Sequence, residues 1–321
     1  MITPAEIEIG LNAAIVAISA RTPRLLVVGE DGEALDALPF GPFAPNRHRT
    51  MEMSLRHTVE AQTALELGYI EQLYTFGDRG RHKMPGDQGP HVVSVGYLAL
   101  TRLDSDRDAR LELSGARWRD WYGYLPWEDW RQGRPPLLDS ALLPALNAWA
   151  AETPTVSATR RSRLKLAFGL DDFPFDEERV LERYELLYEA GLVEEALQDG
   201  RVERCRTGAV LGRPMRHDHR RIAATALARL RSKIKYRPVI FELMPPEFTL
   251  TDLQGTVEAI AGHHVHKQNF RRLVDGAELV EPTGSTQAAT GGRPAALFRF
   301  RRQVLEERPA PGLKVGGRTG G

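Results

Sequence analysis

Apolar positions in the last quarter of the chain recur at helical spacing. Between 249 and 262 the large apolar residues lie three or four positions apart, which predicts one buried stripe on a helix. These residues are Leu250, Leu253, Val257 and Ile260. A four-residue turn follows, and the pattern from 267 to 276 predicts a second helix with Phe270 facing inward and Gly276 at its end.

The residues after the second helix alternate in a different way. Residues 277–282 predict a short strand, 283–292 form a loop with no apolar residue larger than alanine, and 293–302 alternate as a second strand. Helix, turn, helix, strand, loop and strand is the order of a winged helix-turn-helix. The alternative is a small α+β subdomain with a solvated charged face.

The solvent face of the predicted second helix is basic and polar. Such a helix suits the major groove, where arginine reads guanine and glutamine or asparagine reads adenine. The candidate DNA contacts are His266, Lys267, Gln268, Asn269, Arg271 and Arg272, with Arg293 added from the loop. We expect one of Arg271 and Arg272 to reach a base edge and the other a phosphate. The alternative, in which both contact only phosphate, is about equally weighted, since most protein–DNA contacts carry no sequence information.

The first two thirds of the chain mix strand and helix patterns. Strands are predicted at 7–18, 24–28, 69–76 and 91–100, and helices at 50–63, 139–151, 176–190 and 218–235. Residues 195–217 are expected to form a weakly ordered connection. The segment 117–131 holds four of the five tryptophans, Trp118, Trp121, Trp127 and Trp130. Tryptophans grouped in this way are expected in a core or a dimer contact more often than in a ligand cage.

Charge is distributed unevenly along the 321 residues, although the net charge is zero. Residues 212–321 hold 19 Lys and Arg against 10 Asp and Glu, and the remainder holds 24 against 33. A basic C-terminal part beside an acidic N-terminal part fits a nucleic-acid-binding module joined to another domain. The length allows two domains.

Cysteine and histidine usage argues against a metal site. The single cysteine, Cys205, excludes internal disulfides and Cys-rich zinc sites. Two histidine groups stand without a cysteine or carboxylate at ligand spacing, and they are His217 with His219, and His263, His264 and His266. No metal or cofactor is therefore expected. With no membrane span or signal peptide in the pattern, we expect a cytoplasmic, nucleoid-associated protein.

The stretch 38–67 resembles the Nudix box, in which a Gly-rich loop and one helix present glutamates that bind magnesium beside a diphosphate. When the end of the box is aligned on Thr63, Ala64 and Leu65, the positions for Arg-Glu-x-x-Glu-Glu fall on 57–62, which read HTVEAQ. The loop glutamate falls on Arg49. Every expected metal carboxylate is missing in this register, which suggests a Nudix fold that keeps nucleotide binding without hydrolysis. The alternative is an unrelated amphipathic helix after a turn.

Several motifs together resemble the Nudix-related transcriptional regulators of NAD metabolism, of the NrtR and NadQ type. They are LPFGPF at 38–43, QLYTFGDRGRH at 72–82, VVSVGYLAL at 92–100, KYRPVIFELMPPEFTL at 235–250, HKQNFRRL at 266–273 and GGRPAALFRF at 291–300. The longer linker and lost carboxylates match the NadQ branch most nearly. The resemblance implies an N-terminal Nudix-like α/β/α sandwich with a mixed sheet at 1–155 and a helical linker at 156–217. A winged helix with a leading helix would follow at 218–305, and a disordered tail at 306–321.

The resemblance also implies a function. Such proteins are homodimeric repressors that bind operators of NAD synthesis genes as double-stranded DNA and sense an NAD-related nucleotide, here ADP-ribose, NAD or ATP. The protein is then not an enzyme. The first alternative is an active Nudix hydrolase that cleaves ADP-ribose or NADH, and a weaker one is a winged helix used for protein contacts.

Six residues are the candidate nucleotide contacts: Arg47, Arg49, Phe76, Asp78, Arg79 and Trp118. An aromatic ring beside an arginine suits adenine stacking and diphosphate pairing, which favours the segment 76–79. Arg47 and Arg49 replace acids of the loop and would attract phosphate directly. The alternative for these basic residues is a merely solvated loop.

Overall fold

The computed structural model describes most of the chain. The described residues are 6–29, 35–78, 80–81, 89–104, 111, 114–205, 207–287, 294–307 and 311–313. Of the candidate contacts, Arg79 and Arg293 lie outside these residues.

A mixed sheet forms the centre of the N-terminal half. Its strands are β1 (Ile7–Ser19), β2 (Thr22–Val28), β3 (Phe40–Pro42), β4 (Tyr69–Phe76), β5 (His91–Leu100) and β6 (Ala116–Asp120). The order is β4-β5-β1-β2-β6, with β3 paired to β1. The β1–β5 pair is parallel and the other pairs are antiparallel. The four predicted strands are confirmed, whereas β3 and β6 were not predicted.

Helices make up most of the remainder. They are α1 (Met51–Thr63), α2 (Leu143–Ala151, after a π-helical turn at Leu138–Leu142), α3 (Pro154–Phe168), α4 (Val180–Glu189), α5 (Glu194–Gln198), α6 (His219–Ile234), α7 (Leu250–Ala261), α8 (Lys267–Ala277) and α9 (Val304–Glu307). The antiparallel strands β7 (Val280–Gln287) and β8 (Ala295–Phe300) follow α8. Within the described part of the chain, no helix combines the length and apolarity that crossing a bilayer requires.

The two faces of the sheet are covered by different helices. Alternation along β1 directs Leu11 and Ile15 into a core with residues of α1, and Ala14 and Val16 into a second core with residues of α6. The predicted α/β/α sandwich with a mixed sheet, followed by a winged helix, is therefore confirmed.

The segment expected to be a linker, 156–217, is instead part of the core. Leu164 of α3, Leu187 of α4, Leu211 and Met215 are all buried in the cluster that also contains residues of α6 and the sheet. Leu211 and Met215 lie in the stretch 195–217 that was expected to be a weakly ordered connection, and both are buried. Leu164 and Leu187 belong to the apolar faces of α3 and α4, which explains why these helices pack on the core.

Three smaller expectations also differ from the structure. Gly276 lies inside α8, which ends at Ala277 and is capped by Glu278, whose φ is +49°. Strand β7 extends into the predicted loop 283–292. The predicted disorder of the tail does not hold at 311–313, where Leu313 is buried and donates its N–H to Ile234 O at 2.9 Å.

Candidate nucleic-acid interface and nucleotide pocket

Helix α8 separates apolar from basic residues. Phe270 and Val274 are completely buried, because they point into the core that α7 and the following strand share. The exposed residues from 266 to 272 are His266, Lys267, Gln268, Asn269, Arg271 and Arg272. The six described residues of the predicted interface therefore share the solvent side of one helix, as major-groove insertion requires.

The two arginines of this surface differ in their surroundings. Arg272 Nη2 donates to Asn269 Oδ1 at 2.7 Å, which holds its guanidinium along the helix. Arg271 makes no hydrogen bond or ion pair with any residue that the structure describes. Its donors are therefore available to an incoming acceptor.

The turn between α7 and α8 is held by two side chains of α7. Glu258 Oε1 accepts the N–H of Val265 at 2.9 Å and an amide N–H of Gln254 at 2.9 Å, while Gln254 also donates to Val265 O at 2.9 Å. Glu258 Oε2 lies 2.9 Å from His264 Nδ1. Because Val265 directly precedes the N-cap of α8, this clamp fixes how α8 leaves α7. Sequence reasoning missed it, although the i, i+4 spacing of Gln254 and Glu258 was visible.

We expect Glu258→Ala to lower the free energy of unfolding by about 1–3 kcal/mol, since the N–H of Val265 loses its acceptor. Urea denaturation measures the change. Glu281→Ala is the matched control, because it removes an exposed ion pair with Arg299, whose loss costs at most about 1 kcal/mol. Equal losses in the two variants would show that the turn is not held in this way.

Strands β7 and β8 are joined to the helices by an isolated β-bridge between Phe248 and Phe298. Phe248 N donates to Phe298 O at 3.0 Å, and Phe298 N donates to Phe248 O at 2.8 Å. The rings of Phe241 and Phe300 stack at 4.4 Å. These contacts join the two strands to the start of α7, which completes the winged helix arrangement.

In the N-terminal half, the helix positions where the alignment with the Nudix box expects carboxylates hold Thr58, Ala61 and Gln62. Gln62 of α1 accepts the N–H of Phe40 at 3.1 Å and donates to Phe40 O at 2.7 Å, so its amide ties α1 to β3. Thr58 packs on Gly41, and a Cβ added to Gly41 would lie only 2.9 Å from the methyl group of Thr58. Among the residues that the structure describes, no three His, Cys, Asp or Glu side chains converge as a metal site would require.

A cavity of about 440 Å³ lies beside the C-terminal end of α1. Its lining residues are Val28, Gly29, Ala37, Phe40, Ala61, Gln62, Ser114 and Arg216. Most of the lining is small or apolar, and Arg216, Ser114 and Gln62 add polar groups. This volume and this mixture are typical of a small-molecule site.

A network of charges borders this cavity. Asp36 directly precedes the lining residue Ala37, and it accepts from Arg117 Nη2 at 2.6 Å and from the Tyr124 hydroxyl at 2.6 Å, with Arg119 Nε 3.6 Å away. Burial and the hydrogen bond to Asp36 both raise the pKa of the Tyr124 phenol, so it remains a donor. Sequence reasoning missed Arg117 and Arg119, although their i, i+2 spacing in a strand places them on one face.

The predicted nucleotide contacts do not come together in one place. Arg47 and Arg49 are exposed before the first residue of α1, about 16 Å along the helix from the cavity at its other end. Trp118 is half-buried in β6 and packs against the core on the α1 face.

Phe76, the predicted adenine-stacking residue, packs beside a helix of this protein. This ring is buried on the α6 face of the sheet, and the guanidinium of Arg221 lies 5.0 Å from its centroid. Asp78 forms an ion pair with the same Arg221, and this bond is the main cause that lowers the pKa of the Asp78 carboxyl. The arginine beside the aromatic ring therefore comes from α6 and is already paired.

Comparison with known proteins agrees with the winged helix. Residues 240–300 match the family described as the NrtR DNA-binding winged helix domain. The ADPR responsive transcriptional repressor NtrR of Acinetobacter baylyi is 44% identical over 86 residues, which are 27% of this chain and 34% of that protein. The match thus spans about a third of the length of that curated relative.

Solved structures resemble the chain over nearly its whole length. Shewanella oneidensis NrtR complexed with a 27mer DNA superposes with a TM-score of 0.55 at 18% identity, covering 93% of this chain and 95% of that one. A MutT/nudix family protein from Enterococcus faecalis gives a TM-score of 0.50 at 13% identity, covering 94% and 89%. At such identities these likenesses establish the fold alone: a Nudix-like half followed by a winged helix.

Proposed function

We propose that this chain, whose C-terminal domain belongs to the NrtR winged helix family, is a transcriptional repressor of NAD biosynthesis genes. The observation that carries the proposal is the exposed basic side of α8, which presents Gln268, Asn269, Arg271 and Arg272 to solvent together. These residue types read base edges. The relative matched over this region carries the name of a repressor, which supports the same role.

The N-terminal half then senses a nucleotide related to NAD, and the candidates are ADP-ribose, NAD and ATP. The name of the relative, ADPR responsive, favours ADP-ribose. The cavity at the end of α1 is the proposed site, because it is large enough and because Arg216 in its lining supplies a positive charge suited to a diphosphate. The protein acts in the cytoplasm at the nucleoid, and a homodimer supplies two α8 helices for a palindromic operator.

A gel-shift titration against the promoters of NAD synthesis genes tests the proposal. We expect retardation at low salt and a change in apparent affinity when one of the three nucleotides is added. Unrelated DNA of equal length is the control, and affinity for it should fall more steeply with salt than specific binding does. A folded sample that retards no promoter at low salt would rule out the repressor.

We also expect the Nudix-like half to be inactive as a hydrolase. With magnesium, ADP-ribose or NADH should release no nucleoside monophosphate, because the positions of Thr58, Ala61 and Gln62 offer no carboxylate to the metal. Chromatography of the nucleotide products measures this, with a Nudix hydrolase of known activity as the positive control. Multiple turnover abolished by a chelator would instead support the hydrolase alternative.

A further inference from the structure

The C-terminal end of α7 is capped by residues 122 and 130 of the N-terminal half and by Arg231 of α6. The last carbonyls of a helix have no partner within the helix and need donors from elsewhere. Here three donors outside the winged helix supply them: the Tyr122 hydroxyl to Ala259 O at 2.8 Å, Arg231 Nε to Ile260 O at 3.0 Å, and Trp130 N to Gly262 O at 2.7 Å. The orientation of α7, and through the clamped turn that of α8, is therefore set by groups of the N-terminal half and α6.

These donors are buried and closely packed. Arg231 is held by the Glu128 carboxylate, Nη1 to Oε2 at 2.6 Å, and by the Glu128 backbone oxygen at 3.0 Å. Gly262 has φ +76°, and a Cβ there would overlap Glu128 O and crowd the Tyr122 hydroxyl. The end of α7 is thus closely packed against residues 122–130. A displacement of these residues has to move α7 or break a buried hydrogen bond.

The same stretch of chain begins at the cavity. Ser114 lines the cavity, β6 begins two residues later at Ala116, and Arg117 of β6 joins the charge network beside it. Strand β6 ends at Asp120, which lies inside the tryptophan-rich segment 117–131. Residues 114–131 therefore connect the cavity to the end of α7 without interruption.

We propose that residues 114–131 transmit nucleotide occupancy of the cavity to the winged helix, with Tyr122 as the positioning residue for α7. The proposal rests on the function proposed above, and it adds the segment through which the nucleotide acts on the winged helix. A nucleotide that binds Ser114 better in one position of the chain leading into β6 shifts the populations of two placements of α7 by that difference in affinity. The tryptophan-rich segment thereby has a role besides packing.

The test uses Tyr122→Phe in the full chain, which deletes one hydroxyl and keeps the ring. Nucleotide affinity by calorimetry and DNA affinity without nucleotide should each stay within about twofold of the wild type. The ratio of DNA affinities with and without nucleotide, for couplings of this kind about 5- to 150-fold, should fall towards 1. Tyr184→Phe is the matched control: this buried tyrosine has a hydroxyl with no hydrogen-bond partner among the described residues, and the control should keep the full ratio.

A second measurement needs no substitution. Hydrogen exchange on the wild type should show that nucleotide changes the protection of the amides of 250–262 together with those of 114–131. An unchanged DNA-affinity ratio in Tyr122→Phe, or a loss of DNA binding that is equal with and without nucleotide, would overturn the route while the repressor stands. A wild-type protein that binds its operator identically with all three nucleotides would overturn the proposed sensing, and this inference with it.

Discussion

Glu128→Gln is expected to lower the free energy of unfolding by about 3–5 kcal/mol, the largest stability effect of any single substitution considered. Glu128 is fully buried with Arg183 and Arg231. Arg183 binds its carboxylate through two nitrogens, at 2.5 and 2.9 Å, and Arg231 binds it at 2.6 Å. A glutamine keeps the shape but leaves two buried guanidinium groups without a counter-charge.

Urea denaturation at neutral pH measures this loss. Asp139→Asn is the matched control, because it breaks an exposed ion pair with Arg134 and should cost at most about 1 kcal/mol. A loss in Glu128→Gln no larger than in the control would mean that the buried cluster contributes nothing to stability.

The free energy of unfolding should also depend on the ionisation of Glu128 at acid pH. Burial would raise the pKa of the Glu128 carboxyl, but the charges and hydrogen bonds of Arg183 and Arg231 outweigh it and hold the pKa below its ordinary 4.5. The ionised Glu128 therefore stabilises the folded protein fully above pH 4.5, and this stabilisation is lost as the pH falls through the lowered pKa. The difference between wild type and Glu128→Gln should shrink over that range.

Arg271→Ala is expected to weaken operator binding by about 5- to 150-fold, which corresponds to about 1–3 kcal/mol. Arg271 is exposed on α8 and has no partner in the described chain, whereas Arg272 is held by Asn269. Arg161→Ala on α3, another exposed arginine, is the control and should change affinity by less than about twofold.

The same variant separates a base contact from a phosphate contact. If Arg271 reads a base edge, Arg271→Ala loses affinity for the operator and keeps its affinity for unrelated DNA. If it contacts only phosphate, both affinities fall alike and the salt dependence becomes shallower. Operator binding indistinguishable from the wild type would remove Arg271 from the proposed interface.

The sequence predicted those elements whose residues repeat at one period. Strands β4 and β5 begin and end where alternation predicted, and α8 follows from the spacing of Phe270 and Val274. In each case the signal and the structure that it predicts lie within a dozen neighbouring residues. The end of α8 was misplaced because Gly276 is a common stop, whereas Glu278 adopts the left-handed conformation here.

Contacts between distant residues could not be predicted in this way. Glu128 meets Arg183 and Arg231, which are 55 and 103 positions away, and nothing local distinguishes these charges from solvated ones. Phe76 was assigned to a nucleotide because the order of the elements does not reveal that α6 covers it. The cavity was missed for the same reason, since Gly29, Ser114 and Arg216 belong to three separate segments.

Helix α6 contacts both parts of the chain. One of its faces packs on the sheet, and Arg231 near its C-terminal end donates a hydrogen bond to Ile260 O of α7. Separating the sheet from the winged helix would therefore expose buried residues of the core that they share. The regulation proposed above therefore operates by small adjustments within one continuously packed core, and not by two parts that move on a flexible linker.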